Sequence, residues 1–181
     1  MKKLMKVLIL INLFMHCFEG SIFAQDEILG NFVDKEFHGL TIGKSYLVDL
    51  ERSLGKGNLT KNRFGVCFYN SKDSNYIIFE LCEDHAVCGL LITKDKIWKT
   101  DCENNLLSIN SITGRGVKLG QSYQEVIKIY GDPYSKDEDN GSLIILYQTD
   151  SDHDPRVRLS YDSILIFRNN RLVEIHIHDG P

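Results

Sequence analysis

The segment Gly39-Leu-Thr-Ile-Gly-Lys-Ser-Tyr46 is echoed 77 residues further on as Gly116-Val-Lys-Leu-Gly-Gln-Ser-Tyr123. A repeat of that period restricts the chain to architectures that use one supersecondary unit twice. The residues beyond each copy extend the echo. In the second, Tyr123, Val126, Ile127 and Tyr130 fall at i, i+3, i+4 and i+7, which predicts a helix about two turns long. Ser122 and Glu125 have the spacing of a capping box, Gly131 can close the helix in a left-handed conformation, and Pro133 prevents its continuation. In the first copy Leu47, Leu50 and Leu54 follow Ser45, with Gly55 and Gly57 closing the segment. There Val48 occupies the place where a box counted from Ser45 needs an acid, and one extra residue precedes the closing glycine.

Strand-like runs come after each helix. Copy one has 64–69, 76–82, 87–92 and a fourth at Ile97-Trp-Lys99; copy two has 143–147, 156–160, 164–167 and 172–178. Asn70-Ser-Lys-Asp-Ser-Asn75 and Arg168-Asn-Asn-Arg171 have the composition of hairpin turns, and short connections favour antiparallel pairing. Val173, Ile175 and Ile177 alternate with Glu174, His176 and His178, and Val157 and Leu159 with Arg156 and Arg158, so each sheet is expected to have an apolar face under a helix and a polar face outward. The expected fold class is therefore α+β: two tandem repeats, 25–102 and 103–181, each with a short helix on one face of its own antiparallel sheet.

Residues 1–24 fall outside that pattern. Lys2, Lys3 and Lys6 precede the apolar run Val7 to Met15, and Ala24 stands before an acidic stretch, as in a secretory signal peptide. The apolar run is too short for a comfortable membrane span. Cys17 raises lipid attachment, but Phe14 and His16 do not fit that motif. The net charge is −4, and loss of a leader holding three lysines and one glutamate leaves −6. No basic stripe for a nucleic acid is present. The roughly 157 residues after the leader suffice for a packed core with no cofactor.

Four cysteines remain, Cys67, Cys82, Cys88 and Cys102, all in the first copy. An even number in an exported chain predicts two disulfides. A turn at Glu83 to Ala86 would set Cys82 opposite Cys88 and leave Cys67 to Cys102, one of three connectivities. Zinc is the alternative, but the spacings 15, 6 and 14 contain no Cys-x-x-Cys.

Catalytic constellations are weak. Ser45 and Ser122 occupy cap positions where backbone amides claim their hydroxyls, and no Gly-x-Ser-x-Gly elbow occurs. The acidic segment Asp150-Ser-Asp-His-Asp154 starts like a calcium loop but has Pro155 where glycine is required and Tyr161 where a bidentate glutamate belongs. Asp137-Glu-Asp-Asn-Gly141 has the composition of a solvated hairpin loop. His176 and His178 share a strand face and could bind a metal if a third ligand approached. A polar outer face is the simpler account of them.

The string Thr113-Gly-Arg-Gly-Val-Lys-Leu-Gly-Gln-Ser-Tyr-Gln-Glu-Val-Ile-Lys-Ile-Tyr-Gly-Asp-Pro133, followed by Leu-Ile-Phe-Arg-Asn-Asn-Arg-Leu-Val-Glu-Ile175, resembles the BamE/SmpA outer-membrane assembly family. It is also similar to the repeated domain of the β-lactamase inhibitory protein family. The resemblance implies helices on one face of an antiparallel sheet, in tandem units, but no particular activity. Together these readings lead us to expect an exported bacterial, non-enzymatic protein-binding module of the envelope or secreted space, either an assembly factor or an inhibitor or immunity protein. Arg156, Arg158, Tyr161, Glu174, His176 and His178 are its candidate partner surface. The alternatives are a metal-binding protein or metal-dependent hydrolase using the two histidines and the acidic loop, and a small-molecule sensor.

Overall fold

The computed structural model describes residues 34–61, 65–149 and 161–179, which lie within one compact unit. The leader and the expected strand at 156–160 lie outside the described residues. The chain opens with a small ribbon, β1 (Glu36–Phe37) and β2 (Leu40–Thr41), then helix α1 (Leu47–Leu54) and strands β3 (Asn58–Leu59), β4 (Gly65–Asn70), β5 (Asn75–Leu81) and β6 (Val87–Thr93). A 3₁₀ turn (Lys96–Trp98), helix α2 (Lys99–Cys102) and β7 (Leu106–Leu107) lead to helix α3 (Tyr123–Tyr130). The strands β8 (Ser135–Asp139), β9 (Ser142–Thr149), β10 (Tyr161–Arg168) and β11 (Arg171–Asp179) complete the order.

Nine of these strands form one sheet in the order β3-β4-β5-β6-β11-β10-β9-β8, with β7 parallel to β4 off that path. This overturns the expectation of two tandem α+β units. The protein is mostly β-sheet, and the sheet does not stop between the halves, because β6 and β11 pair antiparallel from Gly89↔His178 to Thr93↔Glu174. The physical reason lies in the helices. α1 and α3 are each eight residues long, and their buried residues are Leu50 in α1 and Val126 and Tyr130 in α3. So little apolar area cannot close a separate three- or four-stranded layer, whereas joining two open strand edges satisfies both backbones.

The two glycine loops do share a local geometry. Gly43 and Gly120 both adopt positive φ, 82° and 89°, and both donate a backbone N–H at 2.7 Å to the start of a central strand, to Val87 in β6 and Leu172 in β11. Positive φ strains any residue with a Cβ, which accounts for the glycines. The helix starts differ. Ser122 caps α3 as the sequence indicates, its Oγ accepting from Glu125 N at 3.3 Å while Glu125 Oε2 accepts from Ser122 N at 2.7 Å. Ser45 is not a cap: its Oγ accepts from Thr41 N at 2.9 Å, and α1 begins one residue later, with Tyr46 N donating to Asp49 at 3.0 Å. The extra residue of copy one is thus absorbed before the helix.

One face of the sheet carries the main core. Tyr130 meets Tyr147 edge-on at 5.2 Å, Tyr123 meets Phe167 at 5.9 Å, and Phe37 meets Phe79 at 5.8 Å. Phe37, Leu50, Val126, Ile92, Ile175 and Phe167 are buried there, each contributing about 1.5–3 kcal/mol. On the other face, over the β3 to β6 half of the sheet, the 3₁₀ turn and α2 form a second cover. Cys67, Tyr76, Ile78, Leu91 and Cys102 are buried together with Tyr69 and Trp98 against them. Ile97-Trp-Lys99, expected as a strand, belongs to this cover because the Asp95 carboxylate accepts from Ile97 N at 3.1 Å and starts the turn. With both faces covered, β6 is buried at every position, as its unbroken apolar run requires.

Two polar clamps tie distant segments to this frame. Asp34 is buried and accepts from the Tyr130 hydroxyl at 2.9 Å and from Arg115 N at 2.6 Å. Asn70 donates to Ser111 at 2.6 Å and to the Ile109 carbonyl at 3.0 Å, fixing the connection after β7 onto the β4–β5 turn. Among the described residues no helix is long and apolar enough to cross a membrane.

Candidate binding face

The sheet face opposite α1 and α3, on the same side as the α2 cover, presents the candidate residues. Along β11 the side chains of Ile175 and Ile177 are buried in the main core, so Glu174, His176 and His178 stand on the outer face. Residues directly opposite across strand pairs share that face. They are Thr93, Leu91 and Gly89 in β6 and Ile166 and Ile164 in β10, the latter two opposite Ile144 and Leu146 in β9. Those four aliphatic side chains are half-buried. The β10 and β9 outer face is therefore apolar in its middle, which the alternation in β11 alone does not suggest.

The two histidines do not work together. His176 Nε2 lies 2.6 Å from Glu174 Oε1, and Glu174 Oε2 accepts from the Thr93 hydroxyl at 2.8 Å. The hydrogen bond from His176, backed by that from Thr93, holds the Glu174 carboxyl below the usual glutamate range against its partial burial. His178 Nε2 instead faces Glu80 Oε2 of β5 at 3.4 Å. Among the described residues no three His, Cys, Asp or Glu side chains converge in a metal-holding group, and the Asp150 to Asp154 segment lies outside them. So do Arg156 and Arg158. Tyr161 opens β10 opposite Asp179 and Thr149.

Glu80, Gly89 and Thr93 complete this face but could not be joined to it from sequence, since their partners are 80 or more positions away in the chain or across an uncertain turn. One signal was available: Glu80 is the sole charge in the run Tyr76 to Leu81. Asp137-Glu-Asp139, expected in a loop, is the exposed edge strand β8, turned back by Asn140 and Gly141 at φ 48° and 75°, a two-residue hairpin geometry. Its charges blunt that sheet edge against further strand pairing.

The cysteines pair as Cys67–Cys102 and Cys82–Cys88, with Cα separations of 5.1 and 5.8 Å. The first fastens α2 to β4 and the second closes the β5–β6 hairpin. Two disulfides indicate an oxidising, non-cytoplasmic environment.

No protein-family model and no curated protein matches the chain. Among solved structures it is similar to a DUF4309 family protein (YjgB) from Bacillus subtilis at 12% identity and a TM-score of 0.48, over 78% of this chain and 83% of that one.

Proposed function

We propose that the chain is an exported, non-enzymatic protein-binding module of the bacterial envelope or secreted space, acting as an assembly factor or as an inhibitor or immunity protein. The observation that carries this reading is the outer face of β9 to β11. Half-buried Ile144, Leu146, Ile164 and Ile166 form an apolar centre beside the polar row Glu174, His176 and His178, the layout of a protein interface with an apolar middle and a polar rim. The charged edge strand β8 directs partners to the face and away from strand addition. Arg156, Arg158 and Tyr161 would extend the surface from the adjoining segment. The signal-like leader and the disulfides support the exported setting, and the likeness of 113–133 to the BamE/SmpA family supports the envelope within it.

The test is affinity capture from the exporting cell with the mature chain as bait, beside an I164D/I166D double variant shown to be folded by circular dichroism. A protein recovered by the first bait and depleted with the second supports the reading. Recovery of nothing above background, or equal recovery by both baits, refutes it.

A further inference from the structure

We propose that the trough crossing Glu80 and His178 binds an organic cation, an amine or guanidinium head carried by a small molecule or by a lysine or arginine of a protein partner. In its second form the proposal rests on the protein-binding reading above and names the chemistry of the group the partner would insert.

The trough is built by register. Gly65 of β4, Glu80 of β5, Gly89 of β6 and His178 of β11 stand directly opposite one another in sequence across four strands. They therefore form one row on the outer face. Gly89 beside Glu80 removes a side chain that would crowd it, whereas a Cβ at Gly65 would come 2.9 Å from the Phe79 carbonyl oxygen of β5. A Cβ added at Gly89 would come 2.5 Å from Glu80 Oε2 and 3.0 Å from Glu80 Cβ, so this glycine is what lets the carboxylate lie over the β6 backbone toward His178. Neither glycine adopts positive φ, and a turn does not require them. The use of Gly89 is the space it leaves for the carboxylate, and that of Gly65 is its close approach to the β5 backbone.

Two open cavities adjoin the carboxylate. One, about 270 Å³, has Thr60, Ile78, Leu81 and Trp98 in its wall; the other, about 220 Å³, has Leu91, Ile164 and His176. Both share Glu80 and His178. These volumes fall below the ~300–1,000 Å³ of drug-sized pockets, which suits a head group with a short aliphatic stem better than a nucleotide or sugar chain. The chemistry of the walls selects the charge. Among the described residues lining either cavity there is no lysine or arginine. Glu80 supplies a half-exposed carboxylate, Trp98 an aromatic wall for a cation, and Ile78 or Ile164 a surface for the stem.

Trp98 is the only tryptophan of the chain, so its fluorescence reports on the site directly. At constant ionic strength and alkaline pH, the mature protein is titrated with agmatine, with acetyl-Gly-Arg-Gly-amide, and with the citrulline tripeptide of the same shape and no charge. The expected result is a saturable change with one or both cations and none with citrulline, weakened roughly tenfold or more in E80Q and in G89A. Saturation by agmatine alone assigns the site to small amines; tighter binding of the arginine tripeptide assigns it to a protein side chain. No saturable change up to about 50 mM, an equal response to citrulline, or unaltered binding by folded E80Q overturns the proposal. Capture of the same partner by wild type and E80Q, with a flat titration, would leave the protein-binding reading standing and remove this one.

Discussion

Opening the two disulfides separately should destabilise the protein unequally, and the inequality comes from the fold. Cys67–Cys102 spans 35 residues and Cys82–Cys88 spans 6. In the chain-entropy account the first restricts the unfolded ensemble by about 4 kcal/mol and the second by about 2 kcal/mol. The difference, (3/2)RT times the logarithm of the loop ratio, is about 1.6 kcal/mol. Packing widens the gap. Cys67 and Cys102 are both fully buried among Tyr76, Ile78 and Leu91, so C67A/C102A also leaves a void worth on the order of 1 kcal/mol, whereas Cys82 is exposed. Alanine is the right replacement, since serine would bury hydroxyls without partners. Urea denaturation of C67A/C102A, C82A/C88A and the parent, monitored by circular dichroism and by Trp98 fluorescence, measures both costs. Trp98 sits in the cover that Cys102 anchors, so its signal should change before the sheet melts in the first variant only. A cost for C82A/C88A equal to or above that for C67A/C102A would refute the reasoning.

Three further outcomes are expected. Y130F should lower stability by about 1–3 kcal/mol in chemical denaturation, because burial and the neighbouring Asp34 charge hold the Tyr130 phenol protonated far above its usual range and so keep it a donor to that buried carboxylate; a neutral substitution would contradict the clamp. S122A should cost about 1 kcal/mol through loss of the α3 cap, and an equal loss of helix-end protection at α1 in S45A, read by amide exchange, would contradict the different start of that helix. Glu174 is held below the usual glutamate range in the folded state, so its contribution is present above that range and lost as pH falls through the depressed value. The stability gap between wild type and E174Q should therefore be constant near neutrality and shrink in acid, and a gap that grew in acid would reverse the assigned sign.

What the sequence shows and what it hides divide along physical lines. Helix α3 was legible to the residue because Ser122, Glu125, Gly131 and the Tyr123 to Tyr130 stripe are local signals within ten consecutive residues. The β4–β5 and β10–β11 hairpins were legible from polar turn residues, while the turn between Cys82 and Cys88 left the cysteine pairing as one of three connectivities, which only the strand register decides. The single sheet was hidden because the pairing of Gly89 with His178 depends on two open edges meeting, and edge pairing leaves no trace in either strand's own pattern. Edge strand β8 was hidden for the opposite reason, since Lys136-Asp-Glu-Asp139 has the composition of a loop and is a strand only because β9 lies beside it. At the candidate face, His176 and His178 were visible on β11, but their separate assignment to Glu174 and Glu80 needed three strands in register.

The seam between β6 and β11 also fixes an order of events during synthesis. β11 comes after every other described strand in the chain, yet it lies in the interior of the sheet, with β6 on one side and β10 on the other. Until Arg171–Asp179 leaves the ribosome, the β4 to β6 block, its cysteines still reduced, must wait with the apolar edge of Val87–Thr93 unpaired. Bonds that join residues 81 positions apart, such as Thr93 to Glu174, make assembly slow and leave a template for aggregation while it waits. The chain thus has a stake in reaching its compartment unfolded and closing the sheet only once the whole of it has arrived.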